Sequence, residues 1–93
     1  MGAFLVAEID VTDAAGYESY KKMAGESISR HGGKFLARGG KTVSLEGAPP
    51  KRVVILQFDT MEAAEKFYRS PDYQDAAKAR QKVSKGRLFI VEG

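Results

Sequence analysis

The run Arg52-Val53-Val54-Ile55-Leu56-Gln57-Phe58 constrains this chain more than any other, because it is rich in β-branched residues and apolar on both faces of an extended strand. A strand of that kind has no face to give to water and belongs in the middle of a sheet. Residues 3 to 10 share this character. Phe4 and Val6 point one way, Leu5, Ala7 and Ile9 the other, until Glu8 and Asp10 interrupt the run. Two central strands in 93 residues leave room for two flanking strands and the helices between them, in a single domain over residues 1–93.

The remaining elements follow from periodicity and punctuation. Thr12 or Asp13 caps a helix whose inward stripe is Tyr17, Tyr20, Ala24, Ile28 and His31, and Gly32-Gly33 ends it. A second strand covers Phe35 to Arg38, Gly39-Gly40 breaks or bulges it, and Thr42 to Glu46 resumes it before Gly47-Ala48-Pro49-Pro50 closes a hairpin. Asp59 or Thr60 caps a second helix that buries Met61, Ala64, Phe67 and Tyr68. Ser70-Pro71 then interrupts it and restarts a helix through Tyr73, Ala76, Ala77 and Arg80, and Gly86 frees a last strand over Arg87 to Glu92.

Strand, helix, strand, strand, helix, strand is the order of an α+β, ferredoxin-like βαββαβ sandwich. In it the helices lie on one face of a four-stranded antiparallel sheet, with the first and third strands central. The other face then presents Phe4 and Val6 with Val54, Leu56 and Phe58, or the alternate set. A sheet face that apolar is too large to leave wet, which predicts a homodimer formed sheet against sheet.

Charge and composition remove several functional classes. The formal charge is +3, but acidic residues are interleaved with basic ones everywhere except Lys78 to Arg87, a run that reads as a solvated helix face. No nucleic-acid partner is expected. The first apolar run falls far short of the roughly 20 residues of a membrane span and follows no basic segment, so the expectation is a soluble, cytoplasmic protein without a membrane partner. Without cysteine, and with His31 as the one histidine, the sequence offers no metal site and names no cofactor. It also lacks a glycine-rich phosphate loop and a nucleophile elbow.

The stretch His31 to Gly40 holds the candidate chemistry. His31 is either a general acid or base or a helix-end residue facing terminal carbonyls. Arg38, between Ala37 and Gly39, either holds an anion in its fork or pairs with Glu46, Asp59 or a carboxylate of a partner chain. Gly39 either lets a ligand approach the backbone or serves a bulge. Tyr20 and Tyr73, with Tyr17 and Tyr68, either wall a pocket or pack as amphipathic helix residues. Arg80, seven residues after Tyr73, shares its helix face and reaches the same cleft or a salt bridge. Asp59 reads as a helix cap rather than an acid catalyst.

Phe35-Leu36-Ala37-Arg38-Gly39-Gly40, Leu45-Glu46-Gly47, Arg52-Val53-Val54-Ile55, and Ser70-Pro71-Asp72-Tyr73-Gln74 with Arg80 together resemble the small bacterial family called domain of unknown function 1330. The resemblance spans nearly the whole chain. It implies a dimeric α/β barrel of two ferredoxin-like protomers and no established activity. The wider superfamily includes cofactor-free monooxygenases acting on polycyclic phenols, muconolactone isomerases and haem-binding enzymes, which place substrate between sheet and helices. The expectation is a homodimeric small-molecule-binding protein, with cofactor-free catalysis on a small anionic or enolisable substrate as one form of that role. The alternative is a non-catalytic dimeric interaction module.

Overall fold

Asp13 does what a cap should: its extended backbone leaves β1 (Ala3–Val11) and its carboxylate accepts from Gly16 N at 3.2 Å to open α1 (Ala14–Arg30). His31 caps the other end. Gly32 takes a left-handed φ of 76° and Gly33 N donates to the Ile28 carbonyl, turning the chain into β2 (Lys34–Arg38). After β3 (Arg52–Phe58), the Thr60 hydroxyl, not Asp59, accepts from Ala63 N to start α2 (Met61–Arg69). Ser70 and Pro71 then open α3 (Pro71–Val83), which passes directly into β4 (Ser84–Glu92). The computed structural model describes residues 2–93.

The four strands form one antiparallel sheet in the order β2-β3-β1-β4, with β1 and β3 central. This is the ferredoxin-like arrangement, with the last crossover carrying two helices instead of one. Ala3, Leu5, Ala7 and Ile9 of β1 join Leu56 and Phe58 of β3 beneath the helices, where Phe67, Tyr73 and Ile28 close the core. No helix among the described residues is long and apolar enough to cross a membrane.

The register decides which face stays uncovered. Val6 stands between Ile55 and Phe89, and Phe4 between Gln57 and Val91. The open face therefore combines Phe4, Val6, Val53, Ile55, Phe89 and Val91. Val54, Leu56 and Phe58, grouped above with Phe4 and Val6, turn to the helices instead. Phe89 and Val91 are 42% and 47% exposed, large values for apolar side chains on a sheet.

Two local expectations are corrected, and one choice between alternatives is decided. Thr42 to Glu46 forms no strand: β2 ends at Arg38, and Val43 and Leu45 are 74% and 91% exposed, so their alternation has no layer to face. Of breaking or bulging the strand, Gly39, at φ 70°, does the former, and the bulge falls earlier, between Phe35 and Ala37. Gly86 does not stop a helix. It lies within β4, where a Cβ would overlap the Glu8 carbonyl oxygen and stand 3.0 Å from the Ile9 Cα.

Candidate functional site

The inward row of β3 runs Phe58, Leu56, Val54 and ends in a cation, Arg52, opposite Ile9 of β1. Its guanidinium stands 5.4 Å from the centre of the Tyr17 ring, and its Nε is buried with no hydrogen-bond partner among the described residues. Gly39 makes this placement feasible. A Cβ there would lie 2.6 Å from Arg52 Cζ, so the glycine gives room to an arginine of its own chain, beyond permitting the left-handed turn.

Arg52 belongs to the wall of a cavity of about 40 Å³ between α1 and the sheet. Leu5, Ala7, Leu56 and Phe67 supply apolar surface, and the polar lining consists of Tyr17, Tyr20, Tyr73, Lys21, Arg38 and Arg52; no carboxylate lines it among the described residues, though Glu18 pairs with Lys21 Nζ at 3.0 Å. That volume admits a few waters, whereas a void that holds benzene is about 150 Å³. Lys21 and Arg38 also line an open basin of about 560 Å³ beside α1, so the cavity adjoins the outer surface between those two cations.

Arg38 is exposed and rests on its neighbour Phe35, with Cζ 4.2 Å from the ring centre. It forms none of the ion pairs among the described residues, so the pairings with Glu46 and Asp59 do not form. Arg80 is only 7% exposed, and it too joins no ion pair among the described residues. Its Nη1 donates to the Tyr73 hydroxyl at 2.7 Å, and that hydroxyl lies 2.9 Å from the hydroxyl of Tyr20. Burial pushes the Tyr73 and Tyr17 hydroxyls above the ordinary phenol value, which keeps both protonated at neutral pH.

The structure thus brings Tyr20, Tyr73 and Arg38 to one cavity, with Arg80 immediately behind and Gly39 packed against the Arg52 guanidinium rather than lining it. It does not bring His31 there. The His31 Nδ1 is bonded to the Ser27 carbonyl at 2.8 Å and lies 3.9 Å from Asp72 Oδ2, while the ring packs edge-on against Phe67. Tyr68 lines a separate groove between α2 and β4. Among the described residues no three His, Asp or Glu side chains cluster as metal ligands. Arg52 was missed as a site residue, though its parity with Val54, Leu56 and Phe58 is visible in the sequence.

The domain of unknown function DUF1330 matches residues 2–93. The chain belongs to that family. No curated protein is recognisably similar to this DUF1330 protein in sequence. Among solved structures, a protein of unknown function from Rhodopseudomonas palustris is 21% identical, with a TM-score of 0.79 over 99% of this chain and 82% of its own. SnoaB, a cofactor-independent oxygenase from Streptomyces nogalater, is 16% identical, with a TM-score of 0.72 over 99% and 92%. A dimeric protein of unknown function with a ferredoxin-like fold from Bacteroides fragilis is 11% identical, with a TM-score of 0.68 over 99% and 96%. At these identities the likeness establishes the fold alone.

Proposed function

We propose that this DUF1330 protein is a homodimeric small-molecule-binding protein whose ligand is a small anionic or enolisable compound, and that any chemistry it performs needs no cofactor. One observation carries the reading: among the described residues, the polar side chains lining the cavity are cations and phenols. The Arg52 Nε, buried without a partner among the described residues, is costly to leave unanswered, and an oxyanion between Arg52 and the unpaired Arg38 accepts charge-assisted hydrogen bonds from both. The cavity holds the oxygen-bearing end of the ligand and the basin beyond Lys21 and Arg38 holds the rest. Tyr20 and Tyr73 are its phenolic wall, and Gly39 keeps Arg52 in place. Arg80 acts from behind them, and His31 serves α1 as its cap rather than the ligand as an acid or base.

The homodimer is proposed on the open face. Phe4, Val6, Val53, Ile55, Phe89 and Val91 form one apolar patch, crossed near its edge by the Glu8–Arg87 ion pair at 3.1 Å. A second copy presenting the same patch is self-complementary in shape and polarity. The dimeric Bacteroides fragilis protein and the SnoaB oxygenase share this fold, which makes the assembly and a cofactor-free activity reasonable ones to test.

Thermal melts with benzoate and with benzamide, which share a shape but not a charge, test the ligand class. At a hundredfold excess over Kd, binding adds about 2.7 kcal/mol of stability, enough to raise the melting point by roughly 10 °C or more. Benzoate is expected to do so and benzamide is not. Equal responses, or none to either, contradict the reading.

A further inference from the structure

We propose that Tyr20 is the hydrogen-bond donor of this cavity, and that Arg80, acting through Tyr73, fixes the direction of its hydroxyl. The ligand group seated against Tyr20 is then an acceptor oxygen of a carboxylate, phenolate or enolate. The inference rests on the small-molecule reading above and deepens it by stating what the ligand presents and which residues behind the wall demand it.

A guanidinium has five N–H groups and no acceptor, so Arg80 can only donate to Tyr73, at 2.7 Å. Tyr73 is 2% exposed, and the acceptor within reach of its own hydrogen is the Tyr20 oxygen at 2.9 Å. Were Tyr20 to donate instead, the Tyr73 hydrogen would have no protein acceptor among the described residues and would depend on a water held in the cavity. The order therefore runs from Arg80 to Tyr73 to Tyr20. Tyr20, half-buried on α1 and lining the cavity, keeps its hydrogen for something outside the chain. Each donation polarises the next hydroxyl, so the last is a stronger donor than an isolated phenol.

The surroundings agree. The Tyr73 hydroxyl stays protonated because burial raises its pKa, so the middle link remains a donor throughout the neutral range. Lys21, already paired with Glu18 at 3.0 Å, Arg38 and Arg52 are donors as well, and the Arg52 Nε has no partner among the described residues. A ligand bearing an ammonium or amide N–H at this point would meet donors only, so the site selects by rejection as well as by attraction.

The probe is 4-nitrophenol, whose ionised form absorbs visible light, titrated with pH in the presence of the full chain. Bound to the wild type, it is expected to ionise at least one pH unit below the free compound. Tyr20→Phe should melt near the wild type yet bind the phenolate about tenfold more weakly, with the affinity for the neutral phenol unchanged. Arg80→Lys, still donor-only, should retain the wild-type preference. Arg80→Gln offers Tyr73 an acceptor, releases the chain from its one direction, and should lose preference as Tyr20→Phe does. If Arg80→Gln does not fold, Tyr73→Phe breaks the same chain at its middle and should show the same loss. Phenolate affinity unchanged in Tyr20→Phe overturns the donor assignment. An Arg80→Gln variant that keeps the wild-type preference, or a folded Tyr73→Phe that does, overturns the fixed direction. Failure of the wild type to bind either form overturns the small-molecule reading beneath both.

Discussion

Replacing Arg38 by alanine separates a ligand-holding arginine from a structural one, and the geometry sets the size of each outcome. The side chain is exposed, joins no ion pair among the described residues, and rests on Phe35 at 4.2 Å from the ring centre. A cation over an aromatic ring at an exposed site contributes about 0.5–1 kcal/mol. A domain of this size shifts its melting point by roughly 4–8 °C per kcal/mol, so Arg38→Ala should melt about 2–8 °C below the wild type. Its binding of benzoate should fall by about ten- to a hundredfold, the usual range for losing a charged hydrogen-bond donor. Calorimetric melting and titration measure the two effects on one preparation. If Arg38 instead anchors a buried carboxylate of a partner chain, removing it leaves that charge unpaired at about 3–5 kcal/mol and lowers the melting point by more than about 12 °C. A fall of that size, or unchanged benzoate affinity, refutes the reasoning.

Gly86→Ala should be among the most damaging single-methyl additions, at roughly 3 kcal/mol, because the new carbon meets the backbone of β1 at Glu8 and Ile9, which has no rotamer to yield; a denaturant melt measures it. Phe67→Ala should cost about 3–5 kcal/mol by emptying the space between Phe58 and Tyr73, whose ring centres lie 5.2 and 4.6 Å from its own. Ile55→Lys places a charge in the middle of the open sheet face; if the proposed sheet-to-sheet dimer forms, the wild type should sediment as a dimer and this variant as a folded monomer. The Asp72 carboxyl, which lies beside the Ser27 and Ser70 hydroxyls and accepts from Arg30 Nη1 at 3.0 Å, is held down at about 2 from an ordinary 3.8. A depressed folded pKa makes a contribution that is full above pH 3.8 and lost as pH falls toward 2. Asp72→Asn should therefore flatten stability against pH in that window, as followed by acid titration of the fold.

What was legible in the sequence was what alternation and punctuation encode. The double-faced apolar runs of β1 and β3 name the central strands, and Asp13, Gly32, Ser70 and Pro71 mark helix ends by backbone chemistry that acts locally. Thr42 to Glu46 misleads because alternation records only that a segment has two unlike sides. Whether a neighbouring strand and a core await them depends on register, which local pattern does not carry. Arg38 was visible through its glycines. Arg52 was visible through its parity with Leu56 and Phe58, yet a charge at a strand end reads as surface until the covering helix is in place. Tyr73 and Arg80, seven residues apart, share a helix face by spacing alone. The approach of Tyr20 to Tyr73, 53 residues away, is a product of α1 packing on α3 and has no signature in either segment.

The central claim is that the cavity bounded by Tyr20 and Arg52 receives an oxyanion. A crystal structure of the protein soaked with benzoate tests it most directly. The account predicts a carboxylate oxygen within hydrogen-bond distance of both the Tyr20 hydroxyl and the Arg52 guanidinium, with the ring directed between Lys21 and Arg38 toward the basin. A structure in which Arg38 and Arg52 are both paired with carboxylates of the partner subunit, and the space between α1 and the sheet is filled by side chains, would contradict it.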